Sequence, residues 1–165
     1  MPELRIGPLA VPAVVAGVVP ALLSVLPGPD LPGSVAVRCA VGGPLALLGG
    51  VLVADAVNRV YLRQPTPLGD LPPEHLVTAG GYRIVRNPMT IGMILLLLGE
   101  TVLYAAPAIL GWAATVLAIS VVTTRRIEEP SLAEAFGERY RSYATETAGW
   151  IPFRPVRRSR RPTEV

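Results

Sequence analysis

The sequence predicts an all-α integral membrane protein: about four transmembrane helices, the last two forming a helical hairpin, then a C-terminal amphipathic helix. Three observations predict it. Of 165 residues, 51% are hydrophobic and only 16% charged, against roughly 25% charged in an ordinary soluble domain. Three long stretches are nearly free of charge. All fifteen basic residues are arginine, and all but Arg38 fall on one side of the membrane that those stretches imply. The length suits a single domain spanning 1–165.

The first stretch, Ile6 to Pro29, has no charge and is long enough for one span of ~20 residues. One Glu and one Arg precede it and further apolar stretches follow, so it reads as a retained helix and not a cleaved signal. The second runs from Ser34 to Val57, interrupted by Arg38 and Asp55 near its two ends. Residues 1–57 thus hold two N-terminal membrane helices. The third, Pro88 to Thr124, has Glu100 as its sole charge. As one helix it would measure ~55 Å, nearly twice the ~30 Å hydrocarbon core. It must fold back, and Pro107, near its midpoint, offers the break.

With both termini inside, the cytoplasmic side receives fourteen of the fifteen arginines, the positive-inside pattern. The arginine-only basicity fits a bacterial inner membrane. Two polar segments then face the cytoplasm: the loop from Asn58 to Asn87, and the tail from Arg125. In that tail Leu132, Phe136, Tyr140 and Tyr143 recur at spacings of 4, 4 and 3, the stripe of one amphipathic helix lying at the interface. Trp150, Ile151 and Phe153 read as an interfacial anchor that ends a core of residues 58–153. The polybasic tail, 154–165, carries Arg154, Arg157, Arg158, Arg160 and Arg161. Near anionic headgroups each contributes ~1 kcal/mol. For a tail tethered to a bilayer, lipid is a better partner than nucleic acid.

Composition excludes several chemistries. Without lysine there is no Schiff base and no phosphate-binding P-loop. One cysteine, Cys39, and one histidine, His75, allow neither an intrachain disulfide nor a His/Cys metal cluster, so no metal is expected. No G-x-G occurs, which removes the dinucleotide fingerprint.

The densest polar cluster runs from Glu74 to Gly92. It gathers His75, Arg83, Arg86, the pair Gly80-Gly81, and Asn87-Pro88 where the third stretch begins. Pro88 suits a first helical turn with Asn87 as its cap. Local physics alone explains this much as a capped helix start with arginines at the headgroups. A second cluster, Arg125-Arg126-Ile127-Glu128-Glu129, follows the fourth helix. If the last two helices pack as a hairpin, both clusters converge on one cleft ringed by carboxylates, an imidazole and guanidinium groups. Glu100 lies deep in the third stretch. An intramembrane acid points to function or to a hydrogen bond with a neighbouring helix.

The order L-V-T-x-G-x-Y-x-x-x-R-N-P-M-x-x-G, an apolar hairpin, then E-E-x-x-L-x-x-x-F-G-x-x-Y-x-x-Y and W-I-P extends from Leu76 to Pro152. It resembles the membrane methyltransferases typified by isoprenylcysteine carboxyl methyltransferase and the phospholipid N-methyltransferases. The resemblance implies S-adenosylmethionine as cofactor and a hydrophobic or membrane-resident acceptor, either the carboxylate of a prenyl-like compound or the amine of a phospholipid. Carried over by position, it implies a cofactor pocket lined by Glu74, His75, Leu76, Val77 and Tyr82. Asn87, Pro88, Met89 and Thr90 stand at the family's R-H-P-x-Y stretch, and Glu128 and Glu129 at its paired acids. Asn87 replaces a histidine and Thr90 a tyrosine. The family's substrate-binding arginine falls at Thr124, next to Arg125, which with His75 is the expected catalytic pair. Gly92 and Gly99 are expected to let the hairpin backbones approach closely. A non-catalytic membrane scaffold is the alternative of another class, separated by whether the cofactor binds.

Overall fold

A computed structural model describes residues 7–29, 31–64 and 72–151. Helix α1 (Gly7–Ala13) runs through a π-helical turn, Val14–Val18, into α2 (Val19–Ser24). Helix α3 is Val35–Val57, extended by a π-helical turn Asn58–Leu62. A short 3-10 turn, Gly80–Arg83, precedes α4 (Pro88–Tyr104) and α5 (Pro107–Thr123). A third π-helical turn, Thr124–Glu128, leads into α6 (Glu129–Phe136) and α7 (Glu138–Glu146). Among the described residues the only β-type pairing is an isolated parallel bridge between Val85 and Ala148.

Helix boundaries follow local chemistry. The Ser34 hydroxyl accepts from the Val37 N–H at the start of α3. The break anticipated near Pro107 falls there: Ala105 ends α4 in the left-handed region (φ 53°), and Pro107 opens α5. Asn87 differs from expectation. Its side chain does not cap α4 but donates to the Gly149 carbonyl at 3.1 Å. The single amphipathic helix expected in the tail is two helices, because Gly137 (φ 53°, ψ −126°) breaks it between Phe136 and Glu138. Phe153 and the tail 154–165 lie outside the described residues.

Val35–Leu62 and Pro107–Phe136 are long and apolar enough to cross a membrane; Ala10–Ser24 and Pro88–Tyr104 are shorter apolar helices. Most of the surface of the two long ones is exposed. Leu47, Val51, Leu110, Ile119 and Val122 all stand exposed, apolar side chains on the outer faces of α3 and α5.

Helices α3 and α4 approach along a seam of glycines at heptad spacing. A Cβ built on Gly42 would lie 2.7 Å from the Gly99 carbonyl oxygen, and one on Gly49 2.5 Å from that of Gly92. Gly92 and Gly99 therefore serve the α3–α4 contact and not the α4–α5 pair expected from sequence. Around this seam Val53, Val57, Met93 and Leu97 join Ile109 and Ala113 of α5 and Ala16 of the first π-helical turn in one buried cluster. That π-helical turn leaves one carbonyl to be satisfied from another helix. Val19 N–H bonds five residues back to the Val14 carbonyl, but the next residue, Pro20, has no N–H for the Val15 carbonyl. The Trp112 indole N–H donates to that carbonyl instead, at 2.9 Å.

Candidate functional site

The segment before α4 is held to the end of α3. Arg59 Nε pairs with Asp55 Oδ1 at 2.7 Å, and Asp55 Oδ2 accepts the Gly81 N–H at 3.2 Å. Gly80 has φ +65°, and a Cβ on it would collide with Arg59 and Asp55, so the clasp requires glycine there. The segment after α6 is fastened to the same place. The Tyr143 hydroxyl donates to the Tyr82 carbonyl at 2.7 Å. Arg86 donates through Nη1 to the Ala144 carbonyl at 2.7 Å, near the C-terminus of α7, where a cation is favoured. Its backbone N–H reaches the Ala148 carbonyl at 2.8 Å, and Nη2 pairs with Glu129 Oε1 at 2.8 Å.

These ties enclose a cavity of about 350 Å³, at the small end of ligand pockets. Val60 and Tyr61 contribute from the end of α3, and Pro72, Pro73, Leu76, Val77 and Tyr82 from the following segment. Arg86, Asn87, Met89 and Thr90 come from the start of α4. Across from them lie Thr123, Thr124, Glu128, Glu129, Ser131 and Leu132, then Tyr140 and Tyr143. The π-helical turn shapes this wall. Glu129 N–H bonds back to Thr124, an i→i+5 link that widens the helix, and Thr124, Glu128 and Glu129 all face the cavity. The Thr124 hydroxyl donates to Glu128 Oε2 at 3.1 Å.

Burial and the neighbouring Tyr61, Tyr143, Glu128 and Asp55 push the Tyr82 phenol well above its ordinary range. Burial, partly opposed by the Arg86 charge, pushes Tyr143 up to about 12. Burial and Glu129 raise Tyr140 as well. Three phenols thus stand around an acidic pair, a polar lining suited to a cation.

Of the residues expected from sequence, Leu76, Val77, Tyr82, Asn87, Met89, Thr90, Glu128 and Glu129 line this cavity. Pro88 is buried behind it, next to Gly81. Glu74 and His75 are exposed and outside it; the His75 backbone N–H is held by Gln64 Oε1 at 2.8 Å. Arg125 is turned away and lines a second cavity of about 540 Å³ with Leu117, Val121, Ala148, Gly149, Trp150 and Ile151. Arg86 and Glu129 line both cavities. Arg86 was expected from sequence as one of the guanidinium groups at the headgroups or around the cleft, but its partners, 43 and 58 residues away, were not visible. Tyr140 and Tyr143 were visible as part of an apolar stripe but not as lining. Glu100 lines neither cavity, and its Oε2 is buried without a partner among the described residues. No group of three metal-ligating side chains gathers among them either.

Residues 37–139, more than half of the chain, match the model of one protein family, described as phospholipid methyltransferase. Among curated proteins no sequence matches.

Proposed function

The chain belongs to the phospholipid methyltransferase family, and from that premise we propose that it transfers the methyl group of S-adenosylmethionine to a hydrophobic, membrane-resident acceptor. The topology in this reading has four membrane helices, with α4 and α5 as a hairpin and both termini and the site on the cytoplasmic side. The observation that carries the reading is the convergence of Glu128, Glu129, Arg86 and three neutral tyrosines on one cavity.

That donor set fits the cofactor. Carboxylates at Glu128 and Glu129 suit an ammonium and ribose hydroxyls, and Arg86 holds Glu129 in place through its 2.8 Å ion pair. Tyrosine rings stabilise a sulfonium from their faces. Leu76, Val77, Met89 and Leu132 offer apolar surface to a base. When bound, the cofactor supplies an activated methyl that carries its own leaving group. The protein's part is to hold the acceptor atom ~3–3.5 Å from that carbon and to keep water out. A carboxylate acceptor needs no base, whereas an amine must give up one proton. His75, exposed outside the cavity, is not placed to take it; Glu128, at the cavity wall, is. The matched family's description favours a phospholipid amine over the carboxylate of a prenyl-like compound.

Calorimetric titration of S-adenosylmethionine and its demethylated product into the detergent-solubilised protein tests the reading. Micromolar binding is expected, weakened about 10- to 100-fold in Glu129→Gln by loss of a charged hydrogen bond. Absence of binding to folded protein refutes it and favours a scaffold.

A further inference from the structure

An amino-acid group carries an ammonium and a carboxylate on one carbon, so a cavity that takes the ammonium at its acidic pair must take the carboxylate close by. Among the described residues Arg86 is the only cation lining the first cavity, and it is committed to Glu129 at 2.8 Å. Two lining hydroxyls are spent as well: that of Thr124 serves Glu128 Oε2, and that of Tyr143 serves the Tyr82 carbonyl. Tyr61 is different. It comes from the π-helical turn that follows α3, in which the Arg63 N–H bonds five residues back to the Asn58 carbonyl, and it lines the cavity beside Val60. Its hydroxyl has no hydrogen-bond partner among the described residues. It stands close enough to Glu128 and Tyr82 to interact with both electrostatically. The main charge interactions of Tyr140 are instead with Glu129 and Arg86, the ion pair that is already neutral. A phenol is uncharged at pH 7 and donates one hydrogen bond. Next to an acid that holds a cation, such a hydroxyl is complementary to an anion carried on the same molecule.

We infer that Tyr61 is a binding residue for the methyl donor: its hydroxyl donates to the carboxylate of S-adenosylmethionine while the acidic pair takes the neighbouring ammonium. This rests on the methyltransferase reading and adds to it a residue outside the motif span Leu76 to Pro152. An uncharged hydrogen-bond donor suits the position, because an arginine there would pair with Glu128 and withdraw that acid from the ligand.

The test is calorimetric titration of the detergent-solubilised protein with S-adenosylmethionine and with its decarboxylated analogue, which keeps the base, ribose, sulfonium and ammonium. The wild type should bind the complete donor about tenfold more tightly than the analogue, the worth of a hydrogen bond to a charged group. Tyr61→Phe keeps the ring and should erase that difference by weakening the complete donor alone. Equal affinity of the wild type for the two ligands overturns the inference without need of a variant. So does a preference that Tyr61→Phe leaves intact. Equal weakening of both ligands in Tyr61→Phe would also overturn it, marking a hydroxyl that serves Glu128 or the fold instead. A folded wild type that binds neither ligand refutes the methyltransferase reading and this inference with it; binding of both without preference refutes only this one.

Discussion

The glycine seam between α3 and α4 supports a sharp test, because neighbouring glycines on α3 meet opposite surroundings. A Cβ on Gly49 comes 2.5 Å from the Gly92 carbonyl oxygen, while one on Gly50 has nothing within 4 Å. Ordinary contact needs about 3.4 Å, so Gly49→Ala must part the backbones by nearly 1 Å, an overpacking that costs about 1–3 kcal/mol. Gly50→Ala creates no clash and gains about 0.5–1 kcal/mol by removing a glycine from a helix interior. The two variants therefore differ by roughly 1.5–4 kcal/mol, or about 3–15 °C in melting temperature at ~2–4 °C per kcal/mol for a chain of this size. Thermal unfolding in detergent, followed by tryptophan fluorescence, reads the difference. Gly42→Ala against Gly43→Ala repeats the experiment one heptad earlier, since Gly42 faces Gly99 and Gly43 faces open space. Equal melting within each pair would refute the seam.

Two further outcomes follow from local geometry. Ala105 and Ala106 are both buried, but only Ala105 sits at positive φ; replacing each with glycine loses the same methyl, so Ala105→Gly should be about 1–2 kcal/mol the less destabilising of the two, as measured by the same melts. The Tyr143 phenol is pushed up to about 12 from an ordinary value of 10, so the folded state holds a proton that the unfolded state releases first. Its contribution is complete below pH 10 and is lost as pH rises toward 12. Alkaline melts should show this loss, and Tyr143→Phe should be less stable at pH 8 yet flatter in its decline above pH 10.

What the sequence revealed and what it hid divide along chain distance. The break near Pro107 and the proline start of α4 depend on adjacent residues and were legible. Leu76, Val77, Tyr82, Asn87, Met89, Thr90, Glu128 and Glu129 were named from motif positions, and they line one cavity. Arg86 was placed near the cleft by its cluster, but its ties to Glu129 and Ala144 were not foreseen, a pairing that no local pattern encodes. Arg125 lies close to the acidic pair in sequence, yet the widened turn of Thr124–Glu128 leaves it on another face. Heptad-spaced glycines were visible in both α3 and α4, but spacing alone did not say that they face each other. Gly137 divided a stripe whose periodicity read as one helix, because its positive φ interrupts a pattern that the side chains continue.

The fastening of residues 144–149 to residues 85–87 also sets an order of events during synthesis. Chains emerge N-terminus first, so α1 to α5 can form before the partners of Arg86 and Asn87 at Ala144, Ala148 and Gly149 exist. The cavity consequently has no closed form until the chain has been made as far as Gly149. A nascent or clipped protein ending before Ala144 would keep its apolar helices and lose the latch, leaving an open product.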